Sequence, residues 1–282
     1  MAVLADIRCA AQTVRSAGFL LVALLGCTPA AVAGPLSWTD LADLALASPV
    51  VLSAMIRKAD RLGRKDAPDV AAGEARVLVR ADLVAALKAP TLLPAGAAWI
   101  WQGPVDARGR PPFGKAAPVM VFAALLSGGG DPAVQALRLV SPHGQQPFTA
   151  QSEAAVRDIL SQAIRPGAGG LMVTGVSDGF RSAGDIADSS ESQFFLATEG
   201  GKPMTLIVRR APGTAAIVRV ATDEFVDRAA PVQPSTLLWR GLACGLPDAL
   251  PPRLAENPEL AADYALARES IGLCGRTVSP PR

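Results

Sequence analysis

RVLVRADL, residues 76–83, decides how the rest of the chain is read. Val77, Val79, Ala81 and Leu83 alternate with Arg80 and Asp82, the period-two pattern of a strand with one face in a core and one in water. Downstream, Ala97 to Gln102 (AAWIWQ) and Pro118 to Leu126 (PVMVFAALL) read as further strands around a polar, Pro/Gly-rich loop, Gly103 to Lys115. Gly128-Gly129-Gly130-Asp131-Pro132 is a turn, and Val134 to Val140 another strand. Upstream, Val50 to Ala59 fits two periods. Its branched residues favour a strand, while Leu52, Met55, Ile56 and Ala59 share a helical face; we read it as a strand. Four or five strands at this spacing make a small barrel or sandwich.

Helices flank this region. Ser37 can cap a short helix with Asp40 in its first turn, Leu36 stapling against Leu41, until Pro49 ends it. Thr149 caps a second, with Val156, Ile159, Leu160 and Ala163 on one face and Pro166-Gly167 as its stop. Leu171 to Val176, Gln193 to Thr198, Met204 to Arg210 and Ala215 to Ala221 then read as strands, with turns at residues 200–203 and 211–213 marking a meander of hairpins. The C-terminus returns to helix over Ser235 to Leu246. After a Pro-rich turn, Asn257 caps a last helix with Pro258 at its first position and Gly272 as its C-cap. The expected fold is therefore α+β and mostly β: antiparallel barrel or sandwich strands, one central helix and a C-terminal helical pair. A soft boundary near residue 148 divides a β domain (34–148) from the rest (149–282), and a single domain is equally compatible.

Composition narrows the class. The 282 residues are half apolar and 18% charged, with 27 basic against 25 acidic side chains and a net charge of +2. That leaves room for a sizeable core and offers no concentrated basic face for nucleic acid. The N-terminus carries Arg8 and Arg15, a ten-residue apolar run Ala17 to Gly26, and Ala31-Val32-Ala33 before Gly34. This is the architecture of a signal peptide over residues 1–33. Leu24-Leu25-Gly26-Cys27 also resembles a lipobox, which would make Cys27 a lipidated anchor. No later apolar run approaches about 18 residues. Either cut removes Cys9. Cys244 and Cys274 are left as a pair expected to form a disulfide in an oxidising compartment.

Motifs with catalytic looks are incomplete. Residues 109–116 (GRPPFGKA) lack the hydroxyl that a phosphate-binding loop needs after its Lys, and Pro118 opposes the helix that should follow. Gly175-Val176-Ser177-Asp178-Gly179 matches a nucleophile elbow, but residues 180–192 read as a polar loop rather than a helix. The single histidine, His143, lies upstream, which leaves a His143–Asp158–Ser177 order as the remaining arrangement. One His and a committed Cys pair give zinc too few ligands. Asp185, Asp188 and Glu191 match no calcium loop. No metal and no cofactor is expected. The densest polar group is Asp106, Arg108 and Arg110, just after Trp99 and Trp101 on one face of their strand. It is either a ligand groove or a loop beside an aromatic core.

Ser190-Glu191-Ser192-Gln193-Phe194-Phe195-Leu196 and the run Thr236 to Cys244 (TLLWRGLAC) resemble a family of uncharacterised exported proteins from GC-rich Gram-negative bacteria. The resemblance implies export and no activity. The expectation is an exported envelope protein with a non-catalytic binding or structural role, periplasmic or tethered through Cys27. Its partner would be an envelope protein or small ligand, not nucleic acid. A periplasmic hydrolase is the alternative.

Overall fold

The computed structural model describes residues 36–127, 131–223 and 225–281. The N-terminal apolar run, both processing sites and Cys27 lie outside these residues, as do Gly128, Gly129 and Gly130 of the expected turn. Ser37 begins helix α1 (Trp38–Ala47) with a full capping box: its side chain accepts from the Asp40 amide, and the Asp40 carboxylate accepts from the Ser37 amide. The chain then enters β1 (Val50–Arg61), β2 (Glu74–Lys88), β3 (Gly96–Pro104), β4 (Pro118–Leu125), β5 (Val134–Leu139) and β6 (Gln145–Pro147).

These strands close into a barrel. β1 pairs with β2 along its length and with β4 over Val50 to Met55. Three register shifts in the β1–β2 ladder supply the curvature needed to serve both neighbours. The order is β1-β2-β3-β5-β4 and back to β1, with β6 continuing beside β4. All pairings are antiparallel except β3–β5, where Gly96 to Trp99 run parallel to Val134 to Leu137. This is the connectivity of an OB barrel, a five-stranded Greek key. Its interior holds Leu52, Ile56, Val77, Val79, Trp99, Trp101 and Val121. The opposite faces of β1 and β4 are buried too, with Val51, Met120 and Phe122 packing against α1 and α2 (Ala150–Ala163). Burial on both faces is why β1 has no clean period in sequence.

After α2 the chain forms a second sheet of β7 (Val173–Ala183), β8 (Ser190–Thr198), β9 (Met204–Arg210) and β10 (Ile217–Ala221), an antiparallel meander in the order β10-β9-β8-β7. One expectation is corrected here: residues 180–192 are not a polar loop. β7 runs on to Ala183 and β8 starts at Ser190, so the segment is a long hairpin with Phe180 opposite Gln193. The inner face of this sheet, with Val176, Phe194, Leu206 and Val208, is covered by α3 (Leu237–Gly245) and α5 (Pro258–Ile271). Between them lies the one-turn helix α4 (Pro252–Ala255), which the Pro-rich turn did not announce. The molecule is thus mostly β, with the C-terminal helical pair in place. Leu36 to Arg282 form one compact unit, and the α1–α2 cluster bridges residue 148.

Candidate functional site

The five residues grouped in sequence divide into two buried tryptophans and three charged side chains on a surface loop. Trp99 and Trp101 are core residues, only 2% and 6% exposed. Trp99 Nε1 donates to Gln145 Oε1 at 2.7 Å, and Trp101 meets Phe113 edge-to-face at 5.0 Å. Both indoles are therefore consumed by barrel packing. Asp106 folds its own loop: Oδ1 accepts from the amides of Arg108 and Arg110 at 2.9 and 2.8 Å, and Oδ2 pairs with the Arg110 guanidinium. These bonds, led by the Arg110 amide, hold its carboxyl below the usual carboxylate range. Phe113 and Val105 of the same loop pack onto the core that holds both indoles.

The outer β2–β3 face, where OB barrels commonly take oligonucleotides or sugars, is self-neutralised. Arg57 pairs with Asp82, Arg80 with Asp60, and Lys58 with Asp60. Arg76 holds Asp69 at 2.8 Å and Gln102 at 2.7 Å. Its apolar contribution is aliphatic, Leu78 and the exposed Ile100, because the strand's tryptophans point inward. A stacking platform of the kind single strands use needs exposed aromatics beside unpaired cations.

Ser177 lies within β7 at a register shift, and its Oγ donates to the Phe195 carbonyl at 2.9 Å. It is a sheet residue, not the apex of a strand-to-helix turn. His143 is in the turn before β6, its amide bonded to Ser141 Oγ at 3.1 Å. Residues 109–116 end in a bridge from the Ala116 amide to the Ile56 carbonyl, leading directly into β4. Among the described residues no group of three His, Cys, Asp or Glu side chains converges as a metal site would.

A half-open concavity lies elsewhere, in the C-terminal helical pair. The sequence sets it up: Asn257 accepts from the amides of Glu259 and Leu260 to start α5, and Gly272, at φ 83°, ends it. Cys244, near the end of α3, is then bonded to Cys274 just past α5, with Cα atoms 4.6 Å apart. The ends meet because residues 246–257 run back along α5 instead of making a tight hairpin. Two side chains pin that return: Tyr264 donates to the Pro247 carbonyl at 2.8 Å, and Arg268 grips the Asp248 carbonyl at 2.7 Å and its carboxylate at 2.5 Å. Burial pushes the Tyr264 phenol up to about 12, so it remains a donor across the physiological range. The result is a half-open cleft of about 600 Å³ with Leu242, Leu246, Leu250 and Ile271 inside, small walls at Ala261 and Ala265, and Asp248, Arg268 and Glu269 at the rim. Its size falls within the roughly 300–1,000 Å³ of small-molecule sites. A smaller cavity of about 280 Å³ between the hairpin ends includes Arg209 and Glu191, already paired with each other.

Three buried carboxylates fix this region; sequence singled out Asp40 only as a first-turn residue of α1, and Asp43 and Asp263 not at all. Asp43 accepts from Arg240 and from Arg276 at 2.6 Å. Asp263 accepts from Ser192 at 2.6 Å and from Arg181 and Arg210. Asp40 accepts from the Thr277 amide and hydroxyl. Burial alone would raise the Asp40 carboxyl, but bonds from Thr277 and Ser37 outweigh it and leave the pKa below its ordinary value. Such fully engaged carboxylates fasten distant segments of the chain together. No family model matches the chain, and no curated protein matches it. Among the described residues no helix is long and apolar enough to cross a membrane.

Proposed function

We propose that this chain is an exported protein of the cell envelope that works by binding, with the cleft between α3 and α5 as its ligand surface. The observation carrying the reading is the cleft: a concave, predominantly apolar surface held by a disulfide and two side-chain pins. Export is supported by the N-terminal basic and apolar segments and by a disulfide compatible with an oxidising compartment. Residence in the periplasm, as a free or Cys27-tethered protein, belongs to the same proposal. Two measurements test it. Intact mass of native protein from envelope fractions should place the mature start at Gly34 or at a lipidated Cys27, and cytosolic protein retaining Met1 overturns export. N-phenyl-1-naphthylamine, an apolar fluorescent reporter, should bind the folded protein and lose its site in Ala265→Trp, because Ala265 is exposed on α5 and lines the cleft. Equal fluorescence in both proteins overturns the assignment of the surface.

A further inference from the structure

We propose that the ligand is an amphiphile with a single alkyl chain and a cationic head, an inference that rests on the cleft being the ligand surface. The interior selects the tail. Leu242, Leu246, Leu250 and Ile271 offer carbon surface, while Ala261 and Ala265 on successive turns of α5 keep one wall low. A flexible hydrocarbon chain can lie along such a wall, and its burial from water drives binding.

The rim selects the head. Arg268 is the rim's cation, and its charge is answered by Asp248, which takes a bond from each of its two terminal nitrogens through its carbonyl and its carboxylate. Glu269, one residue on and exposed, makes no ion pair or hydrogen bond among the described residues. Asp248, Glu269 and Arg268 sum to one net negative charge at the mouth. An ammonium or guanidinium head beside Glu269 meets attraction that a carboxylate head at the same depth meets as repulsion.

The test is calorimetric titration below micellar concentration at low salt, with three probes sharing a twelve-carbon tail: dodecyltrimethylammonium, dodecyl maltoside and dodecanoate. Exposed pairs are weak, so the cation should bind only roughly tenfold tighter than the carboxylate, with the maltoside between them. The preference should shrink in high salt. Glu269→Gln should narrow the preference while leaving maltoside affinity unchanged, and Ala265→Trp should remove binding of all three. Both positions are exposed, and far-ultraviolet circular dichroism checks that each variant folds. Equal or reversed head preference, with binding still lost in Ala265→Trp, overturns the cationic assignment and leaves the cleft standing. Binding of all three unchanged in Ala265→Trp, or no binding at all, overturns both.

Discussion

A methyl group added at Gly245 would sit 2.1 Å from the Val173 carbonyl oxygen, and one at Gly241 2.3 Å from that of Leu171. Both obstacles are backbone, so neither can swing aside as a side chain would. The two glycines are one helical turn apart on α3, and their missing side chains let the helix backbone lie against the start of β7. Gly241→Ala and Gly245→Ala should each cost up to about 3 kcal/mol in urea unfolding, whereas substitution at the open Gly213 turn should follow backbone strain alone. A second residue-scale expectation concerns Ser177. With its hydroxyl bonded to Phe195 inside a ladder, it should be inert to a fluorophosphonate probe. Stoichiometric labelling lost in Ser177→Ala would revive the hydrolase alternative.

The C-terminal staple belongs to the scale of elements. Cys244 and Cys274 are 30 residues apart in sequence, and on the chain-entropy model closing that loop stabilises by roughly 3.5 kcal/mol. Replacing both with Ser should lower stability by about that amount without releasing residues 274–278. Thr39 donates to the Cys274 carbonyl at 2.6 Å, Arg276 holds Asp43, and Thr277 holds Asp40. Acid should succeed where reduction fails. The folded Asp40 carboxyl titrates below its ordinary value of 3.8, so its share of stability is complete above about pH 4 and disappears as pH falls further. Protection of the Thr277 amide, taken relative to its intrinsic exchange rate, should fall below that pH in the native protein and be lower in Asp40→Asn at every pH above it. Element-level features differ in how far sequence revealed them, and the reason is solvent. β2 and β3 show alternation because one face of each meets water, and the caps at Ser37, Thr149 and Asn257 are local. Residues 180–192 misled because most of the hairpin's polar residues meet solvent, while Ser192 is buried only through its bond to Asp263, 71 residues away. The disulfide was legible by elimination among four cysteines, but the cleft is assembled from a loop and two helices that no local pattern connects.

At the scale of the whole molecule, the partners of the buried carboxylates are distant in sequence. Asp43 on α1 is 197 residues from Arg240 and 233 from Arg276, so no window of sequence contains the cluster. Its position matters because it joins the two sheets' surroundings. α1 packs with α2 on the outer faces of β1 and β4, Leu237 of α3 enters the same cluster, and α3 in turn covers the second sheet. Trp38 and Trp239 meet edge-on at 6.1 Å across the junction, and Trp239 donates onward to the Ile271 carbonyl at 2.8 Å. Barrel and second sheet therefore share a wall, and we expect residues 36–281 to unfold in one transition. Asp43→Ala tests the coupling sharply, because it strands Arg240, and in part Arg276, without an acceptor at a cost of about 3–5 kcal/mol. If the wall couples the sheets, native-state hydrogen exchange should fall by the same free energy in β2 of the barrel and in β8 of the second sheet. If the halves are independent domains, β8 and α3 should lose protection while β2 keeps it. Two resolved calorimetric transitions in the unmodified protein would lead to the same conclusion and put the division back near residue 148.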